Sequence, residues 1–312
     1  MNILIVSGFL GAGKTTFIKE LSKKTKKEFA IFENEYASSN VDTDILKSEL
    51  SKEEQRIKIW ELTEGCICCS SKGDFAQSIL TIANTIDPDY LVIEPTGVAK
   101  LSNVINNIKK IEYDRIKVLS PICIVDAISI SRYKSEFPDI YQDQIRSASQ
   151  VILSKIENFS EDEINKVVAY IKEINDKCNV TLEHYSKLPL EWWNSLLLDY
   201  QDKTVVKTDE NEYGSNIETF SLTNVSPNSI EEFIIFLEDI IRNKYGNIIR
   251  AKGSLLVNNI KLHFDLADGR YSILFTDEEA ESKAVFIGNN IKKQKIREIL
   301  FKRSNYIKIL KK

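Results

Sequence analysis

Three cysteines fall within four positions, Cys66, Cys68 and Cys69 in EGCICC at 64–69, in a chain with five cysteines among 312 residues. Thiolates at that spacing can share one soft cation. Three sulfurs hold Zn²⁺ or Co²⁺ tetrahedrally and leave the fourth position for another ligand or a partner. An incomplete ligand set suits a carrier, because it leaves a route for exchange that a closed four-ligand site lacks. The two histidines, His184 and His263, are distant from the cluster in sequence. A carboxylate such as Glu33, or water, is therefore the fourth ligand expected. Two other readings of the same thiols stay open: a redox pair that closes to a disulfide, and buried structural thiols. Cys123, inside PICIVDA, reads as a small core residue, and Cys178 stands alone near a helix end.

A second chemical motif lies at the start. GFLGAGKT fits G-x-x-x-x-G-K-[ST], running from Gly8 through Gly11, Ala12 and Gly13 to Lys14 and Thr15, with Thr16 next. Glycines let backbone N–H groups curl around phosphate oxygens, the lysine neutralises the β and γ phosphates, and the threonine hydroxyl ligates Mg²⁺. Hydrolysis of a nucleoside triphosphate also needs a carboxylate near the Mg²⁺ and γ-phosphate. LVIEPTG offers Glu94 at the end of an apolar run, with Gly97 three residues on in a turn suited to sensing the γ-phosphate. Asp126, at the end of CIVDA, could act there or cap the next helix. For the base, LSKIE resembles the N-K-x-D of many GTPases: Lys155 keeps its place, while Ser154 stands for Asn and Glu157 for Asp. Glutamate is one methylene longer and must shift to pair with guanine.

The elements that must position these residues follow from the pattern of apolar runs. Segments 2–7, 29–34, 56–62, 90–95, 121–127 and 151–155 are rich in Ile and Val without clean alternation, as strands covered on both faces are. Segments 74–86 and 160–174 carry apolar residues at helical spacing, and Ser160 ahead of acidic residues is an N-cap signal. Strand–helix alternation predicts an α/β fold, a P-loop NTPase domain over 1–200 with a mostly parallel sheet. Residues 201–216 are polar and aperiodic and read as a linker, and 217–312 as a smaller C-terminal α+β domain.

Composition limits the partners. With a net charge of −4, the chain gives no electrostatic case for nucleic acid. No run approaches the ~18 apolar residues of a membrane span. The first residues lack a charged region followed by a long apolar stretch, so no signal peptide is expected, and a cytoplasmic location is. There thiols stay reduced, which turns clustered cysteines toward metal or redox chemistry.

Taken in order, GFLGAGKTT, ENE (33–35), GCICC and EPTG resemble the CobW-like GTPases, relatives of the nickel-insertion GTPases. RAKGSLLV (250–257) and AVFIGNN (284–290) are similar to that family's C-terminal domain, so the resemblance covers nearly the whole chain. It implies slow GTP hydrolysis with Mg²⁺, coupled to binding of Zn²⁺, or Co²⁺, and its delivery to a client metalloprotein. By position it implies thiolate ligands at Cys66, Cys68 and Cys69 and phosphate contacts from Gly8 to Thr16. It also puts Glu33 and Asp42 in the segment between nucleotide and metal, and Glu94 beside the γ-phosphate. The resemblance makes the C-terminal domain a client or homodimer surface. The chain departs from the family after ENE, where Tyr36 is followed by Ala37 and Ser38 rather than by Gly and Glu, and it has no His-rich tract. Two alternatives stand beside this reading: a P-loop ATPase or kinase with a structural metal, and a metal-responsive binding module whose nucleotide site is structural.

Overall fold

The apolar run Ile3–Val6 is wholly buried in the first strand, β1 (Asn2–Gly8), because neighbouring strands flank it and helices cover the sheet. The structure is a computed structural model and describes residues 1–34, 57–61, 72–200, 217–267, 269–276 and 282–301. In chain order the first unit contains β1, α1 (Lys14–Thr25), β2 (Phe29–Asn34), β3 (Ile57–Glu61), α2 (Lys72–Thr85), β4 (Tyr90–Pro95) and α3 (Leu101–Lys109). It continues with β5 (Lys117–Val118), β6 (Ile122–Asp126), α4 (Ile130–Glu136), α5 (Pro138–Arg146), β7 (Gln150–Ser154), α6 (Glu161–Ile174), β8 (Asn179–Thr181) and α7 (Leu190–Ser195). The described residues separate into this unit and a second that begins at 217.

The strands of the first unit lie in the order β3-β2-β4-β1-β6-β7-β8, with the short β5 also paired to β1. All these pairings are parallel. Parallel strands need crossover helices, which bury both sheet faces. That is why the apolar runs show no alternation: every residue of β6 is buried, and in β1 only Asn2 is not. β2 and β4 match the expected runs, β1 runs one residue longer, β6 is one residue shorter at each end, and β7 is shifted by one residue toward the N-terminus. β5 and β8 escape the sequence because two or three residues give no period to read.

Local chemistry sets the helix ends. Ser160 caps α6 in a reciprocal box: its hydroxyl accepts from the Glu163 N–H at 3.4 Å, and the Glu163 carboxylate accepts from the Ser160 N–H at 2.8 Å. The Ser160 hydroxyl, 2.7 Å from that carboxylate, and then the Ser160 N–H hold the Glu163 carboxyl below its ordinary value. Helix α1 is anchored from below by aromatic contact. Phe17 stacks on Trp193 of α7 with ring centroids 5.2 Å apart and meets Tyr185 edge-on at 5.3 Å. Phe17 and Trp193 are fully buried, so this cluster holds the helix that follows the glycine loop.

The second unit is an antiparallel sheet in the order β12-β11-β10-β13-β9. Its strands are β9 (Glu218–Thr223), β10 (Asn247–Val257), β11 (Ile260–Ala267), β12 (Arg270–Phe275) and β13 (Lys283–Asn289), with helices α8 (Ile230–Ile241) and α9 (Lys293–Leu300). Phe233, Phe236, Leu237 and Ile240 of α8 pack with Phe220, Leu255, Phe264 and Phe286 of the sheet in one apolar core. The alternation in β11, where Leu262, Phe264 and Leu266 are buried and the residues between them are not, marks a sheet with one face on that core. The α/β reading with a smaller α+β module therefore holds. Among the described residues, no helix is long and apolar enough to cross a membrane.

Phe17→Ala should destabilise the first unit by about 3–5 kcal/mol, the usual cost of emptying a buried aromatic site. Urea unfolding followed by tryptophan fluorescence reads this directly, since Trp193 is the stacking partner. A loss below about 1 kcal/mol would contradict the anchoring role given to this cluster.

Candidate functional site

The carboxyl ends of parallel strands line one edge of the sheet, which is where such sheets bind ligands. β1 delivers the chain into the glycine loop there. Gly8 has φ 145°, Gly11 φ 71° and Gly13 φ 94°, values that side-chain-bearing residues rarely adopt. Gly8 also lies so close to β6 that a Cβ would run into the Ile124 carbonyl. The loop closes on itself through the Ala12 N–H, which donates to the Phe9 carbonyl at 3.2 Å. Gly13 is the N-cap of α1; no side chain caps that end, and its first turn contains no acid. The helix thus turns the positive end of its dipole toward the loop.

Around that end the predicted side chains converge. Lys14 is buried, its Nζ 3.4 Å from the Phe9 carbonyl and 4.0 Å from Glu94 Oε1. Thr15 Oγ1 lies 2.9 and 3.0 Å from the two Glu94 oxygens and donates its proton between them. A hydroxyl and a carboxylate side by side form a hard, oxygen-only donor set, the chemistry that Mg²⁺ accepts beside phosphates. Thr16 is exposed on the next position.

Gly97 sits in the turn after β4, where the Ala99 N–H donates to the Thr96 carbonyl at 2.9 Å. Here the turn touches the glycine loop backbone to backbone: a Cβ on Gly97 would lie 2.5 Å from the Leu10 nitrogen and 2.8 Å from the Leu10 Cα. From the other side Phe9 is held among aromatic rings, Tyr133 at 4.1 Å, Phe137 at 5.4 Å and Tyr141 at 6.2 Å.

The residues expected at the base lie on the far side of the loop. Ser154, at the end of β7, donates its hydroxyl to the Ala12 carbonyl at 2.8 Å and so ties that strand to the phosphate loop. Lys155 has the left-handed φ of 58°, and its Nζ meets Asp126 Oδ2 at 2.6 Å. Asp126 is buried and also accepts from the Ile128 N–H at 2.9 Å, the Ser129 N–H at 3.3 Å and the Ser129 hydroxyl at 3.1 Å. These contacts hold the turn that precedes α4; they do not reach the helix's own first amides, and no side chain caps its N-cap, Ser129. Glu157 is largely exposed and faces His184, its Oε1 3.5 Å from Nε2. No local signal marks His184 as that neighbour, because the pair comes from loops after different strands.

Cys66, Cys68, Cys69 and Asp42 lie outside the described residues. Glu33 is the last residue but one of β2, and backbone register sets it opposite Glu94 on one side and Glu61 of β3 on the other. Glu61 went unnoticed in the sequence because only strand pairing brings it to this edge. Among the described residues, no group of three His, Cys, Asp or Glu could hold a metal ion. Cys123 and Cys178 are both buried, and burial pushes both thiols above their ordinary range.

Residues 2–181 match the nucleotide-binding domain of the CobW/HypB/UreG family, and residues 217–303 match the cobalamin synthesis protein cobW C-terminal domain. Zinc chaperone YjiA of Escherichia coli (strain K12) is 26% identical across 95% of this chain and 96% of its own. Zinc-regulated GTPase metalloprotein activator 1 of Dictyostelium discoideum is 25% identical, over 64% of this chain and 49% of its own. Zinc chaperone CobW of Pseudomonas aeruginosa is 26% identical, over 54% of this chain and 52% of its own. The crystal structure of Zn(II)-bound YjiA GTPase from E. coli aligns over 97% of this chain and 99% of its own at 22% identity, with a TM-score of 0.48. The chain belongs to the CobW/HypB/UreG family of P-loop GTPases.

The close approach at Gly97 generates a sharp expectation. Gly97→Ala must displace either the turn or the loop, so affinity for a non-hydrolysable GTP analogue should fall by roughly tenfold or more while GDP affinity changes little. Calorimetry with both nucleotides checks it. Equal weakening of the two would mean that the contact shapes the whole pocket rather than the γ-phosphate end.

Proposed function

We propose that this family member hydrolyses GTP slowly and uses the nucleotide state to control a zinc ion held by Cys66, Cys68 and Cys69 and passed to a client metalloprotein. The observation that supports this most is the meeting of Thr15, Glu94 and Lys14 at the uncapped start of α1. It is a cation and an oxygen donor pair gathered where phosphates would lie. The names of the relatives, zinc chaperones and a zinc-regulated GTPase, support zinc as the cargo, with Co²⁺ as the alternative ion.

In this reading the loop amides from Gly8 to Thr16 and the start of α1 bind the phosphates, and Lys14 neutralises the β and γ oxygens. Thr15 and Glu94 would hold Mg²⁺, which when bound neutralises charge on the β and γ phosphates. Glu94 stands at the γ-phosphate end, and Gly97 places a backbone amide there. Ser154 anchors the base side to the loop, Lys155 packs on the base, and Glu157 accepts from guanine. Glu33 and Asp42 link the nucleotide to the metal, with Glu33 or water completing the tetrahedron. The two domains divide at 201–216. The C-terminal domain supplies the client or dimer surface, and the protein works in the cytoplasm without nucleic acid or membrane.

Lys14→Ala should abolish hydrolysis and weaken nucleotide binding, because the phosphates lose their main cation. Unchanged turnover in a phosphate-release assay would sink the phosphate-loop assignment.

Coupling between the two sites is the second expectation. A non-hydrolysable GTP analogue should change zinc affinity, and zinc should change analogue affinity by the same factor, typically about 5–150-fold. Affinity should also fall as pH drops, because protons compete for the thiolates. Serine at all three cysteine positions should remove the coupling and leave nucleotide binding in place. A zinc dissociation constant indifferent to nucleotide would leave two sites and no switch.

A further inference from the structure

Helix α5 meets the nucleotide edge with two consecutive polar side chains, Asp143 and Gln144. Gln144 is buried, and its amide nitrogen donates to the Gly97 carbonyl and to the Ala99 carbonyl, each at 3.0 Å. Carbonyls only accept, so the orientation of this amide is set by its partners. Its own oxygen is buried with no hydrogen-bond partner. An unpaired buried acceptor is unfavourable, and an apolar side chain would avoid it. What the amide provides is the two donors. Next to it, Asp143 accepts from the Ser102 hydroxyl at 2.6 Å and the Ser102 N–H at 3.1 Å, holding the chain where α3 begins.

The turn so gripped is the one that abuts the glycine loop at Leu10. The same helix reaches that loop from its other side through Tyr141, which packs on Phe9. Peptide groups are planar, so fixing the Gly97 and Ala99 carbonyls fixes the rotation of the Val98 and Lys100 amides as well. Turn and loop are packed too closely to admit even a Cβ at Gly97, which leaves little room for any other setting.

We propose that Gln144 is a positioning residue for the γ-phosphate step: it sets the orientation of the Thr96–Ala99 turn, and so the response of that turn to GTP as opposed to GDP. This rests on the phosphate-loop reading above. Gln144 touches no phosphate and acts only through the turn.

The test compares Gln144→Met, of similar length with no donors, and Gln144→Glu, of the same shape with one donor when neutral, with the unsubstituted full chain. The readouts are GDP affinity, affinity for a non-hydrolysable GTP analogue, kcat for GTP and the melting temperature. Gln144→Met should lower analogue affinity and kcat by roughly tenfold or more while GDP affinity stays within about threefold, and Gln144→Glu should fall between. If both variants keep the unsubstituted ratio of analogue to GDP affinity and its kcat, the inference fails. It fails equally if both nucleotides weaken together as the melting temperature drops, since that describes a purely structural side chain.

A measurement on the unsubstituted protein stands independently of how the variants fold. The NMR signals of the Gln144 side-chain amide should differ between the GDP and analogue complexes, and identical signals would overturn the proposal. If the unsubstituted chain binds neither nucleotide, the phosphate-loop reading falls first, and that failure is visible before any variant is made.

Discussion

Backbone laid directly against backbone at two glycines governs the geometry of the nucleotide edge. Gly8 lets β1 leave the sheet at a positive φ while pressed to Ile124 of β6, and Gly97 lets the turn after β4 rest on Leu10. The phosphate loop is therefore wedged between the strand on one side of β1 and the turn that follows the strand on the other. Packed interiors have few gradual deformations available to them. A displacement at the turn is met by the loop as a whole, which is the mechanical requirement for a switch with discrete positions.

Helices α4 and α5 stiffen that wedge from outside the sheet. Phe9 belongs to the variable part of the loop motif, yet its ring lies among Tyr133, Phe137 and Tyr141, so the loop has a hydrophobic root as well as a glycine spine. At the end of β7, Lys155 has a left-handed backbone and its ammonium is paired with Asp126. Asp126 is in turn satisfied by the 128–129 turn, so the buried carboxylate has partners for both oxygens.

Much of this was legible in the chain because the information is local. The glycine–lysine–threonine spacing, the Ile- and Val-rich runs and the Ser160 cap each lie within a few residues, and each corresponds to one element or loop. Glu94 was readable because its strand ends at a turn signal. The contacts that give the edge its shape were not. Ser154 to Ala12, Lys155 to Asp126, Glu157 to His184, and Gln144 to Gly97 all join residues brought together only by strand order and helix packing. The in-register row Glu61, Glu33, Glu94 is likewise a product of pairing, with no mark in the sequence of any one strand. Substitutions in the guanine motif show the same thing: Ser154 looks like a loss beside asparagine until its hydroxyl is seen holding the phosphate loop.

The burial of Cys123 and Cys178 has a practical side. The thiolate is the nucleophile that attacks sulfur-modifying reagents, and both of these thiols are buried, which pushes them toward the protonated form. A maleimide or disulfide probe applied near neutral pH to the folded protein therefore faces a silent background. The three remaining cysteines are Cys66, Cys68 and Cys69, so if they hold the metal as proposed above, labelling stoichiometry alone would report its presence in the native sequence, without engineering any other cysteine away.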